Sequence, residues 1–116
     1  MNFNHDKPIY LQIVEYVYER ILQEEWPEEE KILSVRDLGA ELAVNPNTVM
    51  RSYEKLQQDE IIYNKRGIGF FVVPDAIAKI KSLRKAAFIT NELQQTLHIA
   101  KLLGITEREI TEIFKQ

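Results

Sequence analysis

Residues 34–49 read Ser34-Val35-Arg36-Asp37-Leu38-Gly39-Ala40-Glu41-Leu42-Ala43-Val44-Asn45-Pro46-Asn47-Thr48-Val49, and their order of caps and apolar positions decides the fold. Ser34 is a helix N-cap, with Asp37 in the reciprocal position of a capping box. Leu38 and Leu42, helped by Val35, supply the buried face of a short helix ending near Ala43. Asn45 then caps a further helix whose first position is Pro46, where the missing N–H costs nothing. Ala43 and Val44 alone separate the two helices, the tight connection of a helix-turn-helix.

Toward the C-terminus, Val49, Tyr53 and Leu56 fall at i, i+4 and i+7. They predict one buried stripe, with Asn47, Arg51 and Gln58 on the opposite face and Thr48, Met50 and Lys55 flanking it. The β-type runs Ile61-Ile62-Tyr63 and Phe70-Phe71-Val72-Val73 enclose Asn64-Lys65-Arg66-Gly67-Ile68-Gly69. Two glycines between such runs mark a hairpin, a basic wing beside the helices. Toward the N-terminus, Asp6 and Pro8 read as an N-cap region and first-turn proline, followed by Ile9, Tyr10, Ile13, Val14, Val17 and Ile21 at helical spacing. That helix ends before Pro27.

After Asp75 a long helix is expected, with Ile77, Ile80, Leu83, Ala87, Leu93, Leu97, Ala100 and Leu103 in a broken apolar stripe and Gly104 beyond its end. Thr106 and Glu109 form a capping box for a last short helix. The fold expected is mainly α with a small β-hairpin wing: a winged helix-turn-helix over 1–74 and a short two-helix C-terminal dimerisation tail over 75–116. About forty residues is near the lower limit for an independent core. The long helix is therefore expected to pack against its twin through Ile77, Ile80, Leu83, Ala87, Leu93 and Leu97.

The 116 residues carry a net charge of −3, which at first argues against a nucleic-acid partner. The distribution reverses that. Residues 1–30 hold a local charge of −6, residues 31–74 hold +1 and residues 75–116 hold +2. The acid is concentrated in Glu24, Glu25, Glu28, Glu29 and Glu30, read as a solvated turn facing away from DNA. The local field decides whether a phosphate backbone is attracted. There is no cysteine, hence no disulfide framework, thiolate metal site or cysteine nucleophile. No apolar run is long enough to span a membrane, and no leader pattern opens the sequence. A cytoplasmic protein is expected.

A helix entering the major groove presents its N-terminal exposed residues to base edges. Asn47 suits adenine, Arg51 guanine or phosphate, and Thr48 either. Arg36 lies in a first helical turn, where a cation opposes the helix dipole. A DNA partner accounts for it better than a surface ion pair does. Lys65 and Arg66 on the wing reach phosphates or the minor groove, while Gly67 and Gly69 allow close backbone approach. His5 and His98 lie in no metal-ligand motif. Trp26 is expected to pack on the core. Ser34 has no evident His and acid partners and is read as a cap. No cofactor site is marked, and no constellation supports an enzyme.

These residues together resemble the winged helix-turn-helix domain of GntR-family bacterial transcription regulators. The resemblance runs from Pro8-Ile9-Tyr10-Leu11-Gln12-Ile13 through Leu33-Ser34-Val35-Arg36-Asp37-Leu38, Val44-Asn45-Pro46-Asn47-Thr48-Val49 and Tyr53-Glu54-Lys55-Leu56 to Gly67-Ile68-Gly69-Phe70-Phe71-Val72. The Asn-Pro-Asn-Thr-Val form and the short tail ending Lys101-Leu102-Leu103-Gly104-Ile105-Thr106 look like the YtrA subfamily. The resemblance implies a homodimeric, repressor-type regulator bound to double-stranded DNA at a pseudo-palindromic operator. It places DNA contacts on Ser34, Arg36, Asn45, Asn47, Thr48, Arg51 and the wing from Lys65 to Gly69. The sequence departs from the family pattern at Leu33, where proline is usual, and at Glu24, Glu29 and Glu60, where glycines are frequent. Met50 replaces a frequent arginine, and Ile68 replaces a polar wing residue. The weak local charge and Ile68 leave an alternative: a winged-helix protein-interaction module without specific DNA binding. No effector pocket is marked.

Overall fold

The computed structural model describes residues 7–116. The elements run α1 Ile9–Leu22, α2 Val35–Leu42, α3 Pro46–Gln58, β1 Ile62–Lys65, β2 Gly69–Val72, α4 Ala76–Phe88, a π-helical stretch Ile89–Leu93, α5 Gln94–Leu102 and α6 Glu107–Phe114. No described helix is long and apolar enough to cross a membrane. The fold is a helix-turn-helix with a two-stranded antiparallel wing, in which Ile62 pairs with Val72, Tyr63 with Phe71, Asn64 with Phe70 and Lys65 with Gly69.

One core joins α1, α2, α3 and the hairpin. Ile13, Val17, Ile21, Leu38, Val49, Tyr53, Leu56, Ile61 and Val72 are fully buried in it. Trp26 packs against its edge. The α3 stripe therefore sits as its spacing predicts. The α1 stripe does not: its first turn is turned outward, with Ile9 46% exposed and Tyr10 only half-buried. Pro8 is the N-cap of α1 rather than its first helical residue, and its carbonyl accepts from the Leu11 and Gln12 N–H groups. The expected Asp6 cap lies outside the described residues.

A strand-like segment absent from the sequence reading completes the wing. Glu29 N–H donates to the Val72 carbonyl at 2.8 Å, Val72 N–H to Glu30 at 3.1 Å and Ile32 N–H to Phe70 at 2.9 Å. Residues 29–32 thus pair with the free edge of β2, and Lys31 lies opposite Phe71. The acidic turn is also more structural than expected. Glu28 Oε2 accepts the Ile77 N–H at 2.9 Å and so caps the start of α4, while Glu24, Glu25, Glu29 and Glu30 are exposed.

Contacts divide the chain between Ile80 and Lys81, so the first turn of α4 belongs with the winged unit. Ala76 and Ile80 are fully buried in its core and Ile77 packs against it. Of the positions expected on a dimer face, Ile80 is thus buried, and Ile77 partly covered, within their own chain. The remaining expected positions lie in the second unit, Leu83 and Ala87 exposed, Leu93 and Leu97 half-buried. In that unit, α6 carries the full capping box between Thr106 and Glu109.

Four helices end in the same backbone motif. After α1, Glu24 N–H donates to the Ile21 carbonyl and Glu25 N–H to Arg20. After α2, Ala43 bonds Ala40 and Val44 bonds Gly39. After α3, Glu60 bonds Gln57 and Ile61 bonds Leu56; after α5, Gly104 bonds Lys101 and Ile105 bonds Ala100. This Schellman arrangement requires a left-handed residue, normally glycine. Here that residue is Glu24 (φ 60°), Ala43 (φ 56°) or Glu60 (φ 59°), and glycine only at Gly104 (φ 77°). Glu29 (φ 67°) is left-handed as well. Glu24, Glu29 and Glu60 are thus held in a conformation that side chains disfavour. Relief of the left-handed strain outweighs the added entropy of an unfolded glycine. Glu24→Gly and Ala43→Gly should therefore each stabilise the protein by about 0.5–1 kcal/mol, read from the urea midpoint. A lowered midpoint for both would contradict this account.

Candidate nucleic-acid interface

The helix-turn-helix is closed by a glycine. A Cβ on Gly39 would stand 2.8 Å from the Val44 carbonyl oxygen, a backbone atom that cannot move aside. The missing side chain lets α2 and the start of α3 approach this closely across a two-residue connection. Ser34 Oγ accepts the Asp37 N–H at 3.0 Å, and Asn45 Oδ1 accepts the Asn47 N–H at 2.8 Å. Both caps use an acceptor, so the Ser34 hydroxyl hydrogen and the Asn45 amide hydrogens remain for a partner.

Tyr53 organises the site from below. Its hydroxyl donates to the Leu33 carbonyl at 2.7 Å, immediately before the Ser34 cap. Its ring meets Phe70 of β2 edge-on, centroids 4.9 Å apart. One buried α3 side chain therefore fixes both the entry to α2 and the wing. On the other side of α3, Asn47 and Arg51 are exposed and Thr48 is half-buried. They share a surface depression of about 310 Å³ with Pro8, Ile9 and Tyr10. The Arg51 guanidinium lies 3.9 Å from the Tyr10 ring centroid.

In the wing, Ile68 N–H donates to the Lys65 carbonyl at 2.9 Å, and Gly67 (φ 79°) and Gly69 (φ 140°) take left-handed values. Nothing lies within 4 Å of a Cβ built on Gly67, so its backbone is open to a partner. Tyr63 and Phe71 stack on one face, centroids 5.8 Å apart, and Lys65 Nζ sits 4.3 Å from the Phe71 centroid. Lys31 joins this face. Its Cε would be 2.9 Å from a Gly69 Cβ, so the missing side chain makes room for the lysine stem. Sequence reading missed Lys31 because its place beside the wing depends on the pairing of residues 29–32. Gly39 and Tyr10 were likewise missed as parts of the site.

Among the described residues, Lys55, Lys79 and Arg20 are held in ion pairs, whereas none is formed by Lys31, Arg36, Arg51, Lys65 or Arg66. The surface ion pair considered for Arg36 is thus not made. No three metal-ligating side chains gather among the described residues.

Burial, and secondarily Tyr16, pushes the Tyr53 phenol well above its ordinary pKa. The hydroxyl therefore stays protonated in the folded chain where an unfolded tyrosine ionises, from about pH 10 upward. The resulting stability is present below that pH and is lost as pH rises toward the raised folded value. Tyr53→Phe should cost about 1–2 kcal/mol at neutral pH by leaving the Leu33 carbonyl unpaired. It should also flatten the alkaline decline in a pH series of urea midpoints; an unchanged decline would contradict the bond's role.

Comparison with known proteins agrees with this geometry. Residues 9–72 match the pattern of bacterial regulatory proteins of the gntR family. The HTH-type transcriptional regulator YhcF of Bacillus subtilis is 33% identical over 97% of this chain and 92% of its own length. The HTH-type transcriptional repressor YtrA of the same organism is 30% identical, over 94% and 83%. A GntR family transcriptional regulator from Listeria monocytogenes superposes with a TM-score of 0.77 at 33% identity, covering 97% of each chain. The chain belongs to the GntR family of bacterial regulatory proteins and is a winged helix-turn-helix transcriptional regulator, not an enzyme.

Proposed function

We propose that this regulator binds a pseudo-palindromic operator as a homodimer in the cytoplasm and acts as a repressor. The observation that carries the DNA reading is that Arg36 on α2, Arg51 on α3 and Lys65 and Arg66 on the wing are exposed and form no ion pair among the described residues, with Asn47 exposed beside Arg51. Asn47, Thr48 and Arg51 face base edges, with Arg51 suited to guanine and Asn47 to adenine. Ser34, Arg36 and Asn45 hold phosphates, and Lys65, Arg66, Gly67 and Gly69 follow the backbone or minor groove, with Lys31 beside them. Repression is supported by the likeness to YtrA, whose name describes a transcriptional repressor.

The dimer is supported by the second unit. No residue of α5 or α6 is buried, and Leu102 and Leu103 are each 73% exposed. A helical segment with so much apolar surface and no core of its own needs a covering partner. Leu83, Ala87, Leu93 and Leu97 form the proposed interface with the twin chain. Such a dimer would read half-sites about 34–36 Å apart.

Light scattering at micromolar concentration should give twice the chain mass; a clean monomer would end the dimer reading. Selection of bound fragments from a genomic library should return one two-fold symmetric site. On that site Arg36→Ala should lower affinity about tenfold or more with an unchanged melting temperature. Affinity should also fall steeply with salt, as phosphate neutralisation requires. Failure to retain any genomic fragment would favour the protein-interaction module, for which the exposed Ile68 at the wing tip speaks.

A further inference from the structure

Arg51 stands on the outer face of α3, where a long side chain on a helix samples many rotamers. In this chain it does not stand alone. Its guanidinium carbon lies 3.9 Å from the centroid of the Tyr10 ring, in cation–π contact. Tyr10 belongs to the first turn of α1; its spacing groups it with the apolar residues of that helix, yet it is only half-buried. The backbone of that turn is fastened to α3 at the same level. The hydroxyl of the fully buried Ser52, next in sequence to Arg51, donates to the Tyr10 carbonyl at 2.7 Å. Ser52 thus fixes where Tyr10 stands, and the Tyr10 ring fixes where Arg51 stands. The ring and the guanidinium line the same depression as Asn47 and Thr48.

The consequence follows from the shape of guanidinium. Stacking uses one flat face and leaves the in-plane N–H donors on its rim available. Those donors make the paired hydrogen bonds to guanine O6 and N7, or to a phosphate. An arginine held this way before binding loses less rotamer entropy when it engages, so more of the contact energy appears as affinity. We propose that Tyr10 is a positioning residue for Arg51: it pre-orders the guanidinium for reading DNA without contacting DNA itself. The proposal rests on the DNA-binding reading above and adds a residue from α1 to the determinants of specificity.

The test is a double-mutant cycle on the tightest duplex recovered from a randomised-sequence library by the wild-type protein, with melting temperatures measured alongside. Tyr10→Phe keeps the ring and should bind within about twofold of wild type. Tyr10→Leu keeps apolar bulk but removes the π face, and should weaken binding about threefold to tenfold. In the Arg51→Ala background, Tyr10→Leu should cause no further loss, because its effect passes through the arginine. The Arg51 δ-proton resonances should be shifted upfield by the ring in the free wild-type protein, and that shift should vanish in Tyr10→Leu. Wild-type affinity in Tyr10→Leu, an additive loss in the double mutant, or absence of the ring-current shift in wild type would each overturn the positioning role while leaving DNA binding intact. Failure of the wild-type protein to recover any duplex would instead overturn the DNA-binding reading, and the positioning role with it.

Discussion

The site depends on the hydroxyl of Tyr53. This buried α3 side chain reaches both other parts of the candidate interface: the Leu33 carbonyl ahead of α2 and the Phe70 ring of the wing. Val49, Tyr53 and Leu56 share one fully buried stripe, which sets the rotation of α3 and therefore turns Asn47, Arg51 and Gln58 outward. A helix anchored only by aliphatic side chains could slide or roll by small amounts among packing solutions of similar energy. A hydrogen bond to a defined carbonyl is directional and removes that freedom. Recognition of base edges needs side chains placed to within about half an ångström, so a buried directional contact beneath the reading surface suits the task.

What was legible in the sequence was whatever local chemistry determines. The caps at Ser34 and Asn45, the α3 stripe and the glycine-tipped hairpin stand where short-range rules place them. At α2 the box is represented by the Ser34 bond, with Asp37 one methylene shorter than the glutamate of α6. What escaped reading depends on partners distant in sequence. Residues 29–32 form a strand edge only because β2, some forty positions later, offers unpaired backbone groups. Tyr10 and Ile80 looked alike as members of apolar stripes, yet Tyr10 lies at the surface beside Arg51 while Ile80 is fully buried. Periodicity says which side of a helix is apolar; it does not say where along the helix the neighbour begins or stops.

The acidic run shows how a charge pattern resolves into different tasks. Glu28 satisfies a backbone N–H at the start of α4, the place where a carboxylate also meets the positive end of the helix dipole. Glu24 and Glu29 occupy left-handed backbone positions, where their exposed side chains cost no burial but the backbone costs strain. Lys31, only two residues beyond Glu29, lies across the wing face at Gly69. Opposite charges adjacent in sequence are therefore separated in role by strand pairing. A net charge of −3 averages over these differences and says little about the potential at the candidate interface.

Packing inside one chain also limits what the tail contributes. Its first turn is committed to the winged unit through Ala76, Ile80 and the Glu28 cap, so a dimer contact through Ile77 and Ile80 would require that core to open. Opening it would expose side chains whose burial contributes about 1.5–3 kcal/mol each, which a new contact of equal area would at best restore while association adds its own entropic cost. The proposed interface with a twin chain is therefore placed beyond Ile80, among residues that their own chain leaves uncovered. Leu83 at 50% exposure is the first large apolar side chain past that point. Within α4, Ala76 and Ile80 hold the winged unit, while Leu83, Ala87 and Phe88 stay exposed and are the side chains available to the proposed twin.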